Sequence, residues 1–225
     1  TVMLPRVSSI VGESKEKTEK LLCKSAELST CMSCAVGFGI AAIAREFVPL
    51  FFGDGYEKCV DLLVLFVPVL FVKSLSNIVN QQYLIPAKCD NQYTLAVTGG
   101  AIVNLICNGL LIPQLGSVGA TLGTLMAELS VLIISAHCAK KEIRFFRMFS
   151  RYSYYLLLGL IMFIAVRFFD SYTHIERSFI RLILMIMIGG GVYSLLCLTV
   201  WLKVKEKSVF GSILISLSKK GAIRK

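Results

Sequence analysis

Two charged residues lie in the middle of long apolar segments. Lys73 belongs to the segment that runs from about residue 60 to residue 86, and Glu128 to the segment 118–139. If these segments cross a membrane, each charge costs about 2.5 kcal/mol or more unless it faces a bundle interior or a wet cavity. An ammonium group attracts phosphate, and a membrane carboxylate can bind a cation or a proton. A buried ion pair with a purely structural role is the alternative.

Polar side chains recur at helical spacing around these two charges. Residues that follow Lys73 on the same helical face are Asn77, Asn80, Gln81 and Leu84. The segment of Glu128 carries Ser117, Thr121, Thr124 and Ser135. The segment between them carries Thr94, Thr98, Asn104 and Asn108. Three consecutive helices with polar faces predict a water-filled or substrate-lined cavity, whereas interhelical hydrogen bonds without a transport role are the alternative, particularly for the two asparagines of the third segment.

The composition is typical of a protein that crosses a membrane several times. Hydrophobic residues make up 56% of the chain and charged residues 17%, with a mean hydropathy of +0.73, whereas soluble domains have about 25% charged residues. A span needs about 20 apolar residues, and such spans are predicted at 28–52, 60–86, 93–112, 118–139, 152–169 and 179–202. No strand-like alternation competes. The predicted fold is therefore all-α, a polytopic membrane helical bundle of about six transmembrane helices plus an N-terminal helix remnant.

Basic residues are distributed unevenly between the two sides of this predicted bundle. Eighteen of the 24 lysines and arginines lie in one set of loops and ends, and five lie in the opposite loops. Cytoplasmic loops are enriched in lysine and arginine. Both ends of the chain are therefore predicted to face the cytoplasm.

Glycine and proline predict how some of these spans pack. The short loop 113–116 makes the third and fourth spans an expected antiparallel hairpin, with the third span stopping at Pro113. Gly119 and Gly123 form a GxxxG pair, a spacing that lets two helices approach closely. The run of three glycines at 189–191 is predicted to be a second packing notch. The fifth and sixth spans carry little interior polarity and are expected to be lipid-facing supports.

Several kinds of function are disfavoured. The net charge of +10 does not indicate nucleic-acid binding, because the basic residues lie at the ends of apolar segments. Cys31 and Cys34 have CxxC spacing, but a metal site needs two further ligands nearby, and the eight cysteines are expected to be small apolar residues of the bundle. No metal or cofactor is predicted. Asp54 and Asp61 are expected to lie in a solvated loop, and since no catalytic motif is present the chain is not expected to be an enzyme.

Several short motifs occur in a characteristic order. They are VMLPRVS at 2–8, LFFG at 50–53, YLIP at 83–86, NQY at 91–93, and NLICNGLLIP at 104–113 followed by Gly116, Gly119 and Ala120. In this order the chain resembles polysaccharide flippases of the multidrug/oligosaccharidyl-lipid/polysaccharide exporter superfamily, whose pattern is NLxLNxxLIPxxGxxGA. Many members carry an acidic residue at the position of Glu128. The resemblance covers residues 1–140, and residues 150–203 resemble the two additional C-terminal helices of a fourteen-helix member.

The resemblance implies a Wzx-type flippase of the bacterial inner membrane. Its substrate is expected to be an undecaprenyl-pyrophosphate-linked repeat unit of capsule, O-antigen or a similar polysaccharide, moved by alternating access. In this interpretation Lys73 attracts the pyrophosphate, and Glu128 couples an ion to the movement. The residues expected to contact the substrate are Lys73, Asn77, Asn80, Gln81, Asn104 and Asn108.

The resemblance also implies a division of the chain. Residues 1–24 are expected to be the end of a preceding helix and a cytoplasmic amphipathic linker, 25–140 four helices of the C-terminal lobe, 141–203 two additional helices, and 204–225 a basic cytoplasmic tail. The N-terminal lobe is then missing, and the chain is expected to be part of a longer protein. Expected partners are that lobe, membrane lipid and the lipid-linked oligosaccharide, with glycosyltransferases or a polymerase as further ones. A drug or cation exporter of the same superfamily and a non-transporting membrane scaffold are the alternatives.

Overall fold

The computed structural model describes residues 15–140, 153–173 and 178–204. Its helices are α1 (Lys15–Phe52), α2 (Lys58–Leu65), α3 (Val67–Val79), a π-helix (Asn80–Leu84), α4 (Asp90–Leu115), α5 (Ser117–Ala139), α6 (Tyr154–Tyr172) and α7 (Phe179–Val204). In these ranges six helical segments are long and apolar enough to cross a membrane. The predicted all-α polytopic bundle is therefore confirmed. The predicted helix remnant and most of the basic tail lie outside the described residues.

The first helix begins earlier than the sequence predicted. It starts at Lys15 rather than near residue 28 and continues to Phe52. The charged residues before the apolar part are mostly lysine and glutamate, which are good helix formers, so the helix continues through them. The predicted division between residues 24 and 25 therefore falls inside one continuous helix. The turn that follows contains Gly53 and Gly55 with φ of +83° and +93°, which glycine adopts without strain.

The second span is not one regular helix. A turn at Phe66 separates α2 from α3, and Pro68 lies in the first turn of α3, where its missing N–H group is not needed. At the other end α3 passes into the π-helix, in which the N–H of Ile85 donates to the carbonyl of Asn80 at 3.1 Å. A π turn contains one residue more than an α turn. The helical faces before and after it are consequently out of register.

Helices α4 and α5 form the predicted hairpin, with Gly116 alone between them at a φ of +57°. The prediction that the third span ends at Pro113 is wrong, because Pro113 lies inside α4, which ends at Leu115. A proline removes one backbone hydrogen bond, and membrane helices tolerate this where neighbouring groups compensate. The residue that follows the end of α4 is Gly116, and Pro113 does not end the helix.

Glycines hold α4 and α5 close together. A Cβ atom on Gly119 would collide with the backbone carbonyl of Leu111, and one on Gly123 would collide with the side chain of Asn108. The predicted packing role of this GxxxG pair is therefore confirmed.

The three-glycine run of α7 packs less than predicted. A Cβ on Gly189 would lie 3.0 Å from the side chain of Val166 in α6, whereas one on Gly190 or Gly191 would meet no atom within 4 Å. Only the first of the three glycines therefore forms a notch for a neighbouring helix.

Helices α6 and α7 pack against α1 through buried polar side chains as well as apolar ones. The hydroxyl of Tyr155 in α6 donates to the carboxylate of Glu27 in α1 at 3.1 Å and accepts from the indole N–H of Trp201 in α7 at 2.8 Å. Tyr155 and Glu27 are fully buried. The prediction that α6 and α7 have little interior polarity is wrong for the surfaces that face α1.

Replacing Tyr155 by phenylalanine tests this network. We expect Tyr155→Phe to lower the stability of the purified protein by about 1–3 kcal/mol, because it removes the hydrogen bonds that the hydroxyl makes with Glu27 and Trp201. Trp201 is the only tryptophan of the chain, so its fluorescence emission should shift in the same variant. Tyr172→Phe is the matched control, since Tyr172 is 72% exposed. Equal stability and emission in both variants would contradict the prediction.

A group of charged residues joins the same three helices at their other end. Arg181 of α7 lies 2.5 Å from Asp170 of α6 and 3.8 Å from Glu46 of α1, and Arg167 lies 2.8 Å from Asp170. Both arginines lie within helices. Pairing with carboxylates offsets part of the desolvation penalty of burying these charges.

Candidate functional site

A polar cavity of about 330 Å³ lies between α3, the π-helix, α4 and α5. Six of the seven predicted site residues line it, namely Lys73, Asn77, Asn80, Gln81, Asn104 and Glu128. The helical spacing in three separate spans therefore brings these side chains to one place. Their functional roles stay predictions, but the arrangement gives the bundle a site for a polar ligand.

Lys73 and Glu128 form an ion pair across this cavity. The Lys73 ammonium lies 2.6 Å from Oε1 of Glu128, and the side chains are 52% and 16% exposed. The two residues lie near the middle of the spans Lys58–Leu84 and Ser117–Ala139. Because a lysine ammonium has three N–H donors, the exposed part of Lys73 can bind an anion without losing the carboxylate.

The second carboxylate oxygen of Glu128 is a buried polar atom without a hydrogen-bond partner in the described part of the chain. Oε2 is buried, and no group in the described parts of the chain donates a hydrogen bond to it. A buried acceptor of this kind is usually satisfied by water, an ion or a ligand, and its burial without one is costly. A proton, a cation or a substrate donor would therefore complete the site at Oε2.

Asn80 is held in place by α5. The hydroxyl of Ser135 donates to Oδ1 of Asn80 at 2.7 Å, and both residues are buried. Asn80 is also the first residue of the π-helix. The extra residue of the π turn explains why Leu84, which the α-helical spacing placed on the polar face, is 1% exposed and lies in the apolar core instead.

Removal of the Ser135 hydroxyl tests this contact. We expect Ser135→Ala to lower stability in detergent by about 0.5–2 kcal/mol, because Oδ1 of Asn80 then lacks its donor in a buried position. Thermal unfolding of the purified protein measures the change. Ser130→Ala is a matched control on the same helix, since the Ser130 hydroxyl bonds only to the carbonyl of Met126 within α5. An unchanged midpoint in Ser135→Ala would show that the contact contributes nothing.

The two asparagines of α4 have different surroundings. Asn104 lines the cavity, and its Oδ1 accepts from Nδ2 of Asn108 at 3.0 Å. Asn108 does not line the cavity and packs against Gly123 instead. The structure therefore places Asn108 behind Asn104, where it can orient the Asn104 amide. Its predicted contact with substrate stays a prediction.

Some lining residues were not singled out as site residues from the sequence. The further lining residues include Ser76, Tyr93, Gly100 and Thr124. Positions 93, 97, 100, 101 and 104 all line the cavity, and this spacing describes one helical face. Following the helical face of Asn104 toward the N-terminus of α4 would have identified Tyr93 and Gly100 as lining residues.

The cysteines form no metal site in the part of the chain that the structure describes. No group of three histidine, cysteine or acidic side chains there is arranged to hold a metal ion. All eight cysteines are free thiols. Cys31, Cys34 and Cys197 are buried among apolar residues, as small apolar side chains are.

Comparison with known proteins identifies the fold. No protein-family model and no curated protein matches the sequence. The structure is similar to the lipid II flippase MurJ in its inward closed conformation, with a TM-score of 0.72 and 14% sequence identity over 90% of this chain and 43% of the MurJ chain. This chain therefore spans less than half the length of that protein. The resemblance to Wzx-type flippases and the assignment to a C-terminal half stay predictions. The chain is a multi-pass membrane protein whose helical fold is shared with part of the lipid II flippase MurJ.

Proposed function

We propose that this chain forms one wall of the transport cavity of a lipid-linked oligosaccharide flippase. The observation that carries the proposal is the Lys73–Glu128 pair, whose charged groups lie 2.6 Å apart in a polar cavity. Charged residues inside membrane bundles are costly and usually mark a substrate or ion pathway. The fold shared with a lipid II flippase supports the same function.

The chemistry of the cavity fits a pyrophosphate-linked sugar. The Lys73 ammonium would attract the phosphates, while the amides of Asn77 and Gln81 would donate to and accept from sugar hydroxyls. The lipid tail would remain in the bilayer as the headgroup crosses. We propose an undecaprenyl-pyrophosphate repeat unit of capsule, O-antigen or a similar polysaccharide as the substrate.

Glu128 would couple this movement to an ion. When phosphate neutralises Lys73, the Glu128 carboxylate loses part of its compensation and binds a proton or a cation at its open oxygen. The full attraction between the carboxylate and Lys73 would return after release of the substrate. Such an exchange suits alternating access, in which a second lobe completes the cavity. We propose that both ends of the chain lie on the cytoplasmic side of a bacterial inner membrane, which the uneven distribution of basic residues supports.

A deletion strain tests the proposal. Removal of the gene should stop surface polysaccharide and cause lipid-linked repeat units to accumulate in the inner leaflet, and the wild-type gene should restore export. Export restored by Lys58→Met but not by Lys73→Met would locate the function in the cavity, since Lys58 is an exposed lysine at the start of the same span. Unchanged polysaccharide in the deletion strain would overturn the proposal.

The same strain discriminates the alternatives. A drug or cation exporter predicts increased sensitivity to cationic drugs with normal polysaccharide. A scaffold that recruits glycosyltransferases or a polymerase predicts that Lys73→Met restores export as well as the wild type does. Either outcome would replace the flippase assignment.

A further inference from the structure

Two buried thiols from different helices lie beside each other. Sγ of Cys31 in α1 and Sγ of Cys197 in α7 are 4.0 Å apart, although 166 positions separate them in the sequence. The two residues are 4% and 1% exposed. The hydroxyl of Tyr193 donates to the carbonyl of Cys31 at 2.8 Å and fixes this part of α7 against α1.

Both thiols line an apolar groove. The groove has a volume of about 570 Å³ and lies between α1, α6 and α7. Its lining includes Met162, Ile186 and Gly189, and almost none of it is polar. Water-soluble oxidants and reductants are excluded from such a surface, whereas apolar molecules dissolved in the bilayer can enter it.

We propose that Cys31 and Cys197 are a modification site, at which a bilayer-soluble two-electron oxidant such as a quinone links α1 to α7 through a disulfide. Two S–H bonds break and one S–S bond forms. The two electrons and two protons pass to the quinone, which becomes a hydroquinone. This site is separate from the polar cavity and does not depend on the proposed transport function.

The geometry requires only a small movement. The sulfur atoms must approach from 4.0 Å to about 2.05 Å, the length of a disulfide bond, and rotation of the cysteine side chains supplies part of that distance. A disulfide bond at this position would hold α7 against α1 along the groove that the two cysteines line. Cys34 provides a comparison, because it is also fully buried on α1 but does not line the groove.

The test uses molecular iodine, an apolar two-electron oxidant, on the full chain in lipid vesicles. Iodine takes two electrons to give two iodide ions as the disulfide forms, and the two thiol protons pass to the buffer. We expect the loss of two of the eight thiols, the appearance of one peptide pair linked through Cys31 and Cys197, and recovery of both thiols after reduction. Peptide mapping of the wild-type protein shows whether Cys31 and Cys197 are linked, and no variant is needed for this measurement.

Serine variants supply the control. Cys31→Ser and Cys197→Ser should each abolish the linked pair, and Cys34→Ser should leave it unchanged. A membrane-impermeant oxidant of the same two-electron capacity should link the pair much more slowly than iodine. Absence of the linked pair in the native protein, or its appearance only after denaturation, would overturn the proposal.

Discussion

Lys73→Met is expected to reduce transport of the lipid-linked oligosaccharide by roughly tenfold or more, while the protein still inserts into the membrane. Methionine keeps an unbranched side chain but removes the ammonium that lies 2.6 Å from Glu128. A hydrogen bond from a charged group such as this ammonium to the substrate phosphate contributes about 1.5–3 kcal/mol. Each 1.4 kcal/mol corresponds to about a tenfold change in an equilibrium constant. Flipping of a fluorescent lipid-linked oligosaccharide in vesicles measures the rate.

The partner residue and two controls sharpen this experiment. Glu128→Gln should also reduce transport, because the amide can no longer exchange a proton or bind a cation. Lys58→Met and Asp61→Asn, which change exposed residues at the end of the same span, should leave it unchanged. If the double variant Lys73→Met with Glu128→Gln transports at the wild-type rate, the pair is structural and the cavity assignment is wrong.

Gly119→Ala is expected to destabilise the protein by about 1–3 kcal/mol, the usual effect of overpacking a tight contact. Its Cβ would meet the backbone of Leu111 and Ile112 in α4, and backbone atoms cannot rotate away as a side chain can. The thermal unfolding midpoint of the purified protein measures the loss.

Gly109→Ala is the matched control for this substitution. Gly109 lies in α4, and a Cβ there would meet no atom within 4 Å. Because alanine has a higher helix propensity than glycine, this variant should be as stable as the wild type or slightly more stable. A Gly119→Ala protein that is equally stable would show that the two helices can separate without loss.

The spans and the polar cavity were predictable because they depend on local patterns. Apolar length defines a transmembrane helix, and α-helical spacing correctly grouped Lys73 with Asn77 and Gln81. The same spacing wrongly assigns Leu84 to the polar face, because the π-helix adds one residue to the turn before it. The residue types alone do not indicate this change in hydrogen bonding.

Contacts between distant helices could not be predicted in this way. Glu27 comes just before the predicted first span, and nothing in the periodicity of α1 relates it to Tyr155, which is 128 positions away. Its burial depends on how α6 and α7 pack, which a single sequence does not state. The cavity was found because its polar residues lie in consecutive helices joined by short turns.

The length of α1 has a mechanical consequence. Its 38 residues give a rod with a contour length of about 57 Å, whereas the hydrocarbon core of a bilayer is about 30 Å thick. The first half of this rod is not free, because Leu22, Ala26 and Glu27 are buried against the other helices. Since Glu27 of α1 accepts a hydrogen bond from Tyr155 of α6, a tilt of α1 would have to carry α6 with it.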